Sequence, residues 1–396
     1  MKSEFSITIQ KFISAFTKVS NDLKAQGKKV LITTHRFLDG DAFGSAVAFG
    51  LLLQKLGIES TLLCVPFVPL KLTFLGSMGT LHIVSPFYAG DGNTRNAFTN
   101  TLFEHFSEIK EDFGALVVLD CAGIDQIPEE AWSIGKDLPY KINIDHHAGY
   151  ELQSPCGRIL NLVLDCSSTS EIIFGLLKEM GIKEYPEIAV PLFVGMVADL
   201  RKNDVTRDSP YFPVDEIREL EIQARKIDFD VRKLVKTVFS LDPWEKYLLK
   251  VTLAGRRSVG NVVYVRFDHE MILQAKEVTD SKDNPRMPFH EFHTRLRHRL
   301  KRFSMDFAVV VIFDQLLGKV SLFALQEKGG YDLAAISKYI GNGGGHPNRA
   351  GFTFSAAKEK LIACSIVEEN PTDEMIMKKI VESINHQISE GSHIEE

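Results

Sequence analysis

The stretch His35-Arg36-Phe37-Leu38-Asp39-Gly40-Asp41-Ala42-Phe43-Gly44-Ser45 decides the fold. The apolar run Val30–Thr34 precedes it, and a helical pattern follows that Gly57 ends. One histidine and two aspartates therefore lie where a buried strand leads into a helix, which is the edge of an open α/β sheet at which ligands bind. Imidazole and carboxylate groups together suit Mn²⁺, Zn²⁺ or Mg²⁺. Taken alone, the stretch is explained equally well as a polar loop with a helix N-cap.

Three further segments carry an acid or a histidine directly after an apolar run. They are Asp120, the triplet Asp145-His146-His147, and Asp199. A buried, hydrogen-bonded histidine pair would explain the triplet by itself. Because four separate elements each deliver such residues at their C-terminal side, the metal-binding interpretation is preferred.

The alternation of β and α patterns over residues 30–200 predicts a parallel sheet, since its strands are continuous apolar runs. From 200 to about 253 the pattern is charged and helical, and from Asn261 a second α/β unit begins. We therefore expect an α/β fold with domains at 1–200, 201–255 and 256–396. The middle segment is a helical connector, and the last domain includes the C-terminal helix.

The pattern H-x-x-x-D-G-D-x-x-G-S, the triplet Asp145-His146-His147 and the segment Gly343-Gly344-Gly345-His346 resemble the DHH/DHHA1 phosphoesterases. Within that family the chain is most similar to the nanoRNase and pAp phosphatase group. The resemblance covers residues 28–200 and 300–355. It implies a parallel-sheet DHH domain with helices on both faces and a smaller DHHA1-like domain, with the active site in the cleft between them.

The resemblance also implies a site with two divalent metal ions, for which Mn²⁺ is the expected ion and Mg²⁺ the alternative. The six implied ligands are His35, Asp39, Asp41, Asp120, His146 and Asp199. His35 and Asp39 belong to one ion, Asp41, His146 and Asp199 to the other. By the same resemblance, Asp120 would bridge the two ions together with the attacking hydroxide. Pairs of ions of this kind lie about 3.5–4 Å apart. His147 faces the substrate phosphate, and Asp145 orients a histidine ring.

A glycine-rich segment in the second domain is the candidate substrate site. Gly343, Gly344 and Gly345 can turn their N–H groups into an anion-binding concavity, and His346 can donate to a phosphate. A glycine-rich helix C-cap is the alternative, but it explains one glycine rather than three.

Basic and aromatic residues supply further substrate candidates. Arg349 can act as a phosphate clamp, and Arg297 lies in a basic helix over residues 293–302 that can line the cleft. Phe289 and Phe292 can stack on a base, as in proteins that bind single strands. Each of these also has an ordinary explanation, as an exposed arginine, a solvated helix face or a core phenylalanine.

Two departures from the family pattern concern substrate recognition. Many relatives carry Asp-Thr-Gly where this chain has Asp199-Leu200-Arg201, which keeps the ligand and changes the loop. Many relatives carry Ser-x-Arg-Ser where Phe323 stands here at the position of the arginine. Either another arginine, such as Arg297 or Arg349, contacts the substrate, or the substrate differs.

Composition limits the classes of partner. The net charge of −6 argues against long duplex DNA, whereas the basic patch over 286–302 suits a small anion or short single-stranded RNA. No apolar run approaches the ~20 residues that span a membrane, so we expect no membrane partner. Five scattered cysteines without a CxxC pair indicate a reducing compartment, and a cytoplasmic location is expected. The isoleucine stripe of the last helix predicts either core packing or a homodimer contact.

The expected activity is metal-dependent hydrolysis of short oligoribonucleotides to mononucleotides from one end, in the manner of an exonuclease. Bisphosphonucleosides of the pAp type are expected as further substrates. Two other enzymatic interpretations stay open, a phosphodiesterase for cyclic or linear dinucleotides and an inorganic pyrophosphatase or polyphosphatase. A nucleotide-binding sensor without catalysis is the non-enzymatic alternative, although a sensor has no need for the whole ligand set.

Overall fold

The computed structural model describes eighteen stretches of the chain. They are residues 2–36, 38–64, 68, 70–78, 81–84, 110–147, 151–153, 156–202, 213–238, 240–241, 243–279, 296, 299–300, 307–315, 318–325, 331–346, 349–366 and 371–389. These residues form two compact units, Met1–Ser240 and the described residues from Leu241 onward. Among the described helices, none has both the length and the apolar composition that a membrane-spanning segment requires.

The first unit alternates strands with helices. Its strands are β1 (Lys29–Thr34), β2 (Ser60–Leu63), β3 (His82–Val84), β4 (Phe113–Leu119), β5 (Tyr140–Asp145) and β6 (Arg158–Val163). Its helices are α1 (Lys2–Ala25), α2 (Gly40–Lys55), α3 (Glu129–Gly135), α4 (Thr169–Glu179), α5 (Pro186–Lys202), α6 (Val214–Arg225) and α7 (Val231–Val238). Short 3₁₀ turns occur at Leu70–Ser77, Lys110–Asp112 and Ile124–Gln126.

The six strands form one parallel sheet in the order β3-β2-β1-β4-β5-β6. The chain reverses its direction of progress across the sheet between β1 and β4, which are neighbours. In open α/β sheets the carboxyl ends of the strands at such a point form a crevice. The sheet topology therefore places the residues that follow β1, β4 and β5 at one edge.

Both faces of this sheet are covered by apolar side chains. On one face Ile32, Val117 and Ile144 belong to the main core, against which α1, α2, α4 and α5 pack. On the other face Leu116 and Val118 belong to a smaller core that includes residues of α3. Burial on both sides explains why these strands read as continuous apolar runs.

Helices α2 and α5 approach each other closely because glycines lie at their contact. A methyl group added at Gly44 of α2 would lie 2.5 Å from the carbonyl oxygen of Pro191 in α5. A methyl group added at Gly195 of α5 would overlap the hydroxyl of Ser170 and lie 2.9 Å from Asp41 Oδ1. The two glycines thus let α5 approach both α2 and the start of α4.

The second unit is a smaller, mixed α/β structure. Its strands are β7 (Arg257–Val259), β8 (Val262–Phe267), β9 (Val309–Asp314), β10 (Lys319–Ala324), β11 (Gly344–His346) and β12 (Arg349–Thr353). Its helices are α8 (Pro243–Ala254), α9 (His269–Val278), α10 (Leu333–Gly341), α11 (Phe354–Ala363) and α12 (Asp373–Ser389). The strand order is β11-β12-β10-β9-β8-β7, and only the β8–β9 pair is parallel.

The isoleucine stripe of α12 packs into the core of this second unit. Ile376, Ile380 and Ile384 are fully buried, and Ile388 packs against them from a partly exposed position. Core packing therefore accounts for the stripe.

The predicted α/β fold, with a parallel sheet flanked by helices and a second, smaller α/β unit, is confirmed. Helices α6 and α7 lie in the first unit and α8 in the second, while the domain boundaries at 200/201 and 255/256 stay predictions. The expected basic helix over 293–302 falls largely outside the described residues.

The glycine-rich segment is part of a β-hairpin rather than the three-glycine concavity that the sequence suggested. Gly344–His346 form β11, which pairs antiparallel with β12. The cap of the preceding helix is Asn342, which adopts the left-handed conformation with φ 52°. The expected concavity of three consecutive glycine N–H groups is therefore replaced by an edge strand, because hydrogen bonds to β12 fix the backbone of this segment.

Candidate metal centre

Three neighbouring strands and two helices deliver the acidic and histidine side chains to one edge of the sheet. His35 directly follows β1, Asp120 directly follows β4, and His146 directly follows β5. Asp41 lies in the first turn of α2, and Asp199 lies near the C-terminal end of α5. The fold therefore brings together at the sheet edge residues that are far apart in the chain. His35 and Asp199, for example, are 164 positions apart.

Asp120 has an unusual backbone. It adopts the left-handed conformation with φ 55°, while its N–H donates to the carbonyl of Ile144 at 3.1 Å. Aspartate tolerates this region better than most residues, yet it still costs free energy that the surrounding contacts must offset. The kink ends β4 and holds the carboxylate, which is 1% exposed, at the centre of the site.

The carboxylate of Asp120 faces two groups of potential ligands with different oxygen atoms. Its Oδ2 lies 3.5 Å from His35 Nε2, which in turn lies 3.9 Å from Asp39 Oδ1. Its Oδ1 lies 3.4 Å from His146 Nε2, which lies 3.1 Å from Asp199 Oδ2. Asp120 is thus the shared member of two neighbouring groups.

Three sets of side chains place their ligand atoms within 4.8 Å of one another. These sets are His35 with Asp39 and Asp120, Asp41 with His146 and Asp199, and Asp120 with Asp145, His146 and His147. All six residues that the family resemblance names as metal ligands occur in them. The structure therefore brings the whole implied ligand set together, and the assignment of each ligand to an ion stays a prediction.

Asp41 is held by the start of helix α4. Its Oδ2 accepts from the N–H of Thr169 at 2.7 Å, and its Oδ1 accepts from the N–H of Ser170 at 3.0 Å. The hydroxyl of Thr169 donates to Asp120 Oδ1 at 3.1 Å. These contacts fix both carboxylates, because the first N–H groups of a helix otherwise have no partner.

Three contacts with backbone and side-chain groups fix the histidine pair. Asp145 Oδ1 lies 2.8 Å from His147 Nδ1 and also accepts from the N–H of His147. His146 Nδ1 lies 3.3 Å from the carbonyl oxygen of Cys166. In each ring the Nδ1 atom is therefore engaged. The Nε2 of His146 is directed at Asp120 and Asp199, and the Nε2 of His147 is left as the ring nitrogen that can contact a ligand.

The crowding of buried charges shifts several pKa values. Burial raises the pKa of Asp41 well above its ordinary value, and the negative charges of Asp120 and Asp199 raise it further. Burial alone would raise the pKa of Asp120, but hydrogen bonds from His146 and His35 hold it well below its ordinary value. Burial alone would lower the pKa of His146, but Asp120 and Asp199 raise it to about 12. A proton on His146 therefore offsets part of the carboxylate charge.

The donor set fits divalent metal ions. Histidine nitrogens and carboxylate oxygens suit borderline and hard ions. Asp145 Oδ2 is buried and has no hydrogen-bond partner among the described residues, which is unusual for a carboxylate oxygen. Repulsion that raises the pKa of Asp41 would be relieved by a cation beside it. The residues present thus fit the two ions that the family resemblance implies.

Two cysteines near the site do not behave as nucleophiles. Burial raises the pKa values of the Cys121 and Cys166 thiols, and neighbouring acids raise them further. A cysteine attacks as the thiolate, which these surroundings disfavour.

The predicted substrate residues lie in the second unit. Gly343, Gly344 and Gly345 lead into and form β11, and Arg349 begins β12 as the register partner of both His346 and Phe323. The guanidinium carbon of Arg349 lies 5.8 Å from the centre of the Phe323 ring.

Packing of the backbone explains two of the three glycines. A methyl group at Gly343 would overlap the carbonyl oxygen of Gly351, and one at Gly345 would overlap that of Arg349. Gly345 also has φ +143°, which disfavours other residues. A methyl group at Gly344 would meet nothing within 4 Å. Arg297, Phe289, Phe292 and the side chain of His346 lie outside the described residues.

Thr169 and Ser170 are functional candidates that the sequence did not reveal. The run Ser168-Thr169-Ser170-Glu171 is recognisable as a capping box, and Ser168 does accept from the N–H of Glu171 at 3.1 Å. The available signal was that this box begins five residues after the last strand of the sheet ends, so that the helix begins at the same edge as the acidic residues.

Comparison with known proteins agrees with this geometry. Residues 29–197 match the family model described as DHH family, N-terminal domain. A comparison with curated proteins finds no match. The crystal structure of an exopolyphosphatase-related protein from Bacteroides fragilis is similar with a TM-score of 0.67 at 18% identity, over 96% of this chain and 98% of that chain. At that identity the similarity establishes a shared fold.

A second solved structure, a Methanococcus jannaschii protein assigned to the family II inorganic pyrophosphatases, gives a TM-score of 0.37 at 14% identity. It covers 82% of this chain and 94% of that chain, but the score is too low to support an argument. The match over residues 29–197 confirms the DHH resemblance that the motifs carry in that part of the chain. Membership of the nanoRNase and pAp phosphatase group stays a prediction.

Proposed function

We propose that this protein is a metal-dependent phosphoesterase that hydrolyses short oligoribonucleotides to mononucleotides, and also pAp-type bisphosphonucleosides. The observation that carries the proposal is the position of Asp120, whose two oxygens face two separate groups of histidine and carboxylate ligands. A carboxylate shared in this way is what a pair of ions about 3.5–4 Å apart requires.

Two divalent ions held by these residues would neutralise charge on the phosphoryl oxygens and provide hydroxide at neutral pH. His35, Asp39 and Asp120 would hold one ion, and Asp41, Asp120, His146 and Asp199 the other. Mn²⁺ is the favoured ion and Mg²⁺ the alternative.

The remaining residues prepare the site for a phosphate. Asp145 fixes the His147 ring through Nδ1, so that Nε2 can donate to a phosphoryl oxygen or to the leaving oxygen. The His147 side chain is 33% exposed, which lets a substrate reach it. Thr169 holds Asp120, and together with Ser170 it holds Asp41, so the carboxylates need not reorganise when substrate arrives. In the second unit, Gly344, His346 and Arg349 are the residues we assign to the substrate, with Arg297 as a further candidate.

The preference for nucleotides over inorganic phosphates rests on the resemblance to the nanoRNase and pAp phosphatase group. Inorganic polyphosphate is the second candidate substrate, because the structure with a TM-score of 0.67 is described as exopolyphosphatase-related. The five described cysteines are all free, which suits the cytoplasmic location that is part of this proposal.

One panel of substrates tests the proposal. Purified protein stripped of metal is given Mn²⁺ and offered di- to pentaribonucleotides, pAp, cyclic dinucleotides, pyrophosphate and polyphosphate, and kcat/KM is compared. We expect the short RNAs and pAp to exceed the other substrates by a hundredfold or more. The same panel is run with Asp120→Asn, which removes the shared ligand, and with Asp137→Asn, which neutralises an exposed aspartate that pairs with Lys110.

Activity that needs no added metal, or equal rates in Asp120→Asn and Asp137→Asn, would overturn the metal-dependent mechanism. A hundredfold preference for polyphosphate would replace the nucleotide substrates by the second candidate. Tight nucleotide binding without turnover of any substrate would favour a sensor.

A further inference from the structure

A groove lies at the corner between α6 and α7, apart from the metal-ligand cluster. Its volume is about 730 Å³, which lies within the roughly 300–1,000 Å³ that ligand sites usually have. Four lining residues are cations, namely Arg225, Arg232, Lys233 and Lys236, and two are acids, Asp228 and Asp230. The groove is therefore positive on a chain whose net charge is −6.

The groove's charged groups are not equivalent. Arg232 forms a bidentate pair with Glu221, with Nε–Oε1 at 2.6 Å and Nη2–Oε2 at 2.8 Å. Asp230 Oδ1 accepts from the N–H groups of Arg232 and Lys233 at the start of α7. By contrast, no carboxylate of the described residues pairs with Arg225 or Lys236. Two cations at the groove thus retain their full attraction for a mobile anion.

The corner that presents these cations is fixed by its backbone and by packing. Asp228 turns the chain with φ 56°, and the N–H of Phe229 donates to the carbonyl of Ala224 at 3.1 Å. The Phe229 ring stacks on Phe74 with ring centres 6.4 Å apart. Helix α7 also packs against α5, the helix that carries Asp199. The groove and the metal-ligand cluster are therefore built on the same helix of the first unit.

The geometry points to a phosphate-chain site in this groove, where Arg225, Lys233 and Lys236 bind successive phosphates of a linear polyanion outside the metal centre. The chain can be a short RNA or inorganic polyphosphate, since both present repeated phosphates that bind lysine and arginine by charge. The inference rests on the proposed function in that such chains are also its candidate substrates. The inference goes beyond the proposed function in one respect: the affinity of the protein for a linear polyanion should rise with the number of its phosphates.

Binding and hydrolysis are measured separately to test this site. Fluorescence anisotropy follows a 5′-labelled pentaribonucleotide on the full chain without added metal, and unlabelled polyphosphate of matched phosphate number serves as competitor. We expect Lys236→Gln and Arg225→Gln each to weaken binding severalfold and to reduce the salt slope by about 0.7. Asp228→Asn should strengthen binding, because it removes an opposing charge and asparagine also tolerates its left-handed backbone.

Lys226→Gln is the matched control. Lys226 adjoins Arg225 in the chain but does not line the groove, and it pairs with Glu184 at 2.6 Å. A loss of affinity for the pentaribonucleotide or for polyphosphate in Lys236→Gln that is absent in Lys226→Gln supports the site. The competition experiment shows which of the two polyanions the site prefers. Equal losses in both variants, or none in either, would overturn it.

The turnover of a dinucleotide with Mn²⁺ keeps the two proposals distinguishable. Dinucleotide turnover reports on the metal centre, and its kcat/KM should be the same in wild type and in the control variant Lys226→Gln. If wild type hydrolyses dinucleotides while all groove variants bind the pentanucleotide and polyphosphate normally, the groove inference fails and the proposed function stands. If the groove variants lose binding of the polyanion chains while wild type hydrolyses no nucleotide, the groove inference stands and the proposed function fails.

Discussion

The two motif-bearing regions of this molecule differ in what their residues do for the fold. In the first unit, four aspartates are at most 1% exposed, namely Asp41, Asp120, Asp145 and Asp199. Burying these carboxylates costs free energy, and the packing of the fold does not require them. In the second unit, Gly343 and Gly345 are required by close backbone contacts in the β11–β12 hairpin. The buried carboxylates therefore point directly to function, whereas the glycine-rich segment would look the same without any ligand.

The largest expected effect separates the shared carboxylate from its supporting neighbour. We expect Asp120→Asn to lower kcat/KM at least about a thousandfold. The substitution removes a carboxylate that would contact both ions, and so removes several kcal/mol of charge stabilisation. Asp145→Asn should cost about 10–100-fold, since it only orients His147. Steady-state kinetics with Mn²⁺, together with metal content by atomic absorption, distinguish the two. A larger loss in Asp145→Asn than in Asp120→Asn would contradict our view of the site.

The second largest expected effect is a change in the stability of the metal-free protein with pH. The pKa of His146 is raised from 6.5 to about 12, so its stabilising contribution is complete below pH 6.5 and is lost as pH rises toward 12. The raised pKa of Asp41 acts in the same direction, with stability lost as pH rises above 3.8. Metal-free protein should therefore become less stable between pH 6.5 and 9.

Metal binding should show the opposite slope over this range. An ion that replaces one histidine proton gains about tenfold in affinity per pH unit, so the rise in Tm caused by a fixed Mn²⁺ concentration should increase with pH. Differential scanning calorimetry with and without Mn²⁺ measures both slopes. In His146→Gln the pH dependence of the metal effect should shrink, and an unchanged slope would show that another group releases the proton.

Glycine substitutions test the contrasting explanation for the second unit. Gly345→Ala should destabilise the protein by roughly 2 kcal/mol or more, because the added methyl group overlaps the carbonyl oxygen of Arg349 at an unfavourable φ. Gly344→Ala meets open space and should change the free energy of unfolding by less than about 1 kcal/mol. Urea unfolding followed by circular dichroism compares them. Equal destabilisation by both substitutions would refute the packing explanation.

The smallest expected effect concerns recognition. His346→Ala should raise KM for nucleotides by about tenfold, as expected for loss of one charge-assisted phosphate contact, while metal content stays unchanged. Part of the loss can appear in kcat if closure positions the scissile phosphate. Loss of metal from His346→Ala, or wild-type binding and turnover, would show that the substrate contacts lie elsewhere.

The sequence was most informative where composition and position act together. Apolar runs followed by Asp120 and Asp145 indicated both a parallel sheet and a shared edge, because parallel strands expose their carboxyl ends together.

Other features depended on long-range contacts that no local pattern reports. The role of Thr169 and Ser170 arises because α4 begins beside α2, 128 positions away in the chain. Gly344–His346 became a strand because β12 offers hydrogen-bond partners, which overrides the weak strand propensity of glycine. The left-handed backbone of Asp120 likewise follows from how β4 ends against β5.

The contact between Gly195 and Ser170 also bears on which ion the protein prefers. Any side chain at position 195 would press on Ser170 and on Asp41 Oδ1, and so would move apart the helices that supply Asp41 and Asp199. Mg²⁺ requires oxygen atoms at about 2.0–2.1 Å in near-ideal geometry, whereas larger ions accept longer bonds. Gly195→Ala should therefore reduce activity with Mg²⁺ more than with Mn²⁺, so that a residue without a ligand atom contributes to ion selectivity.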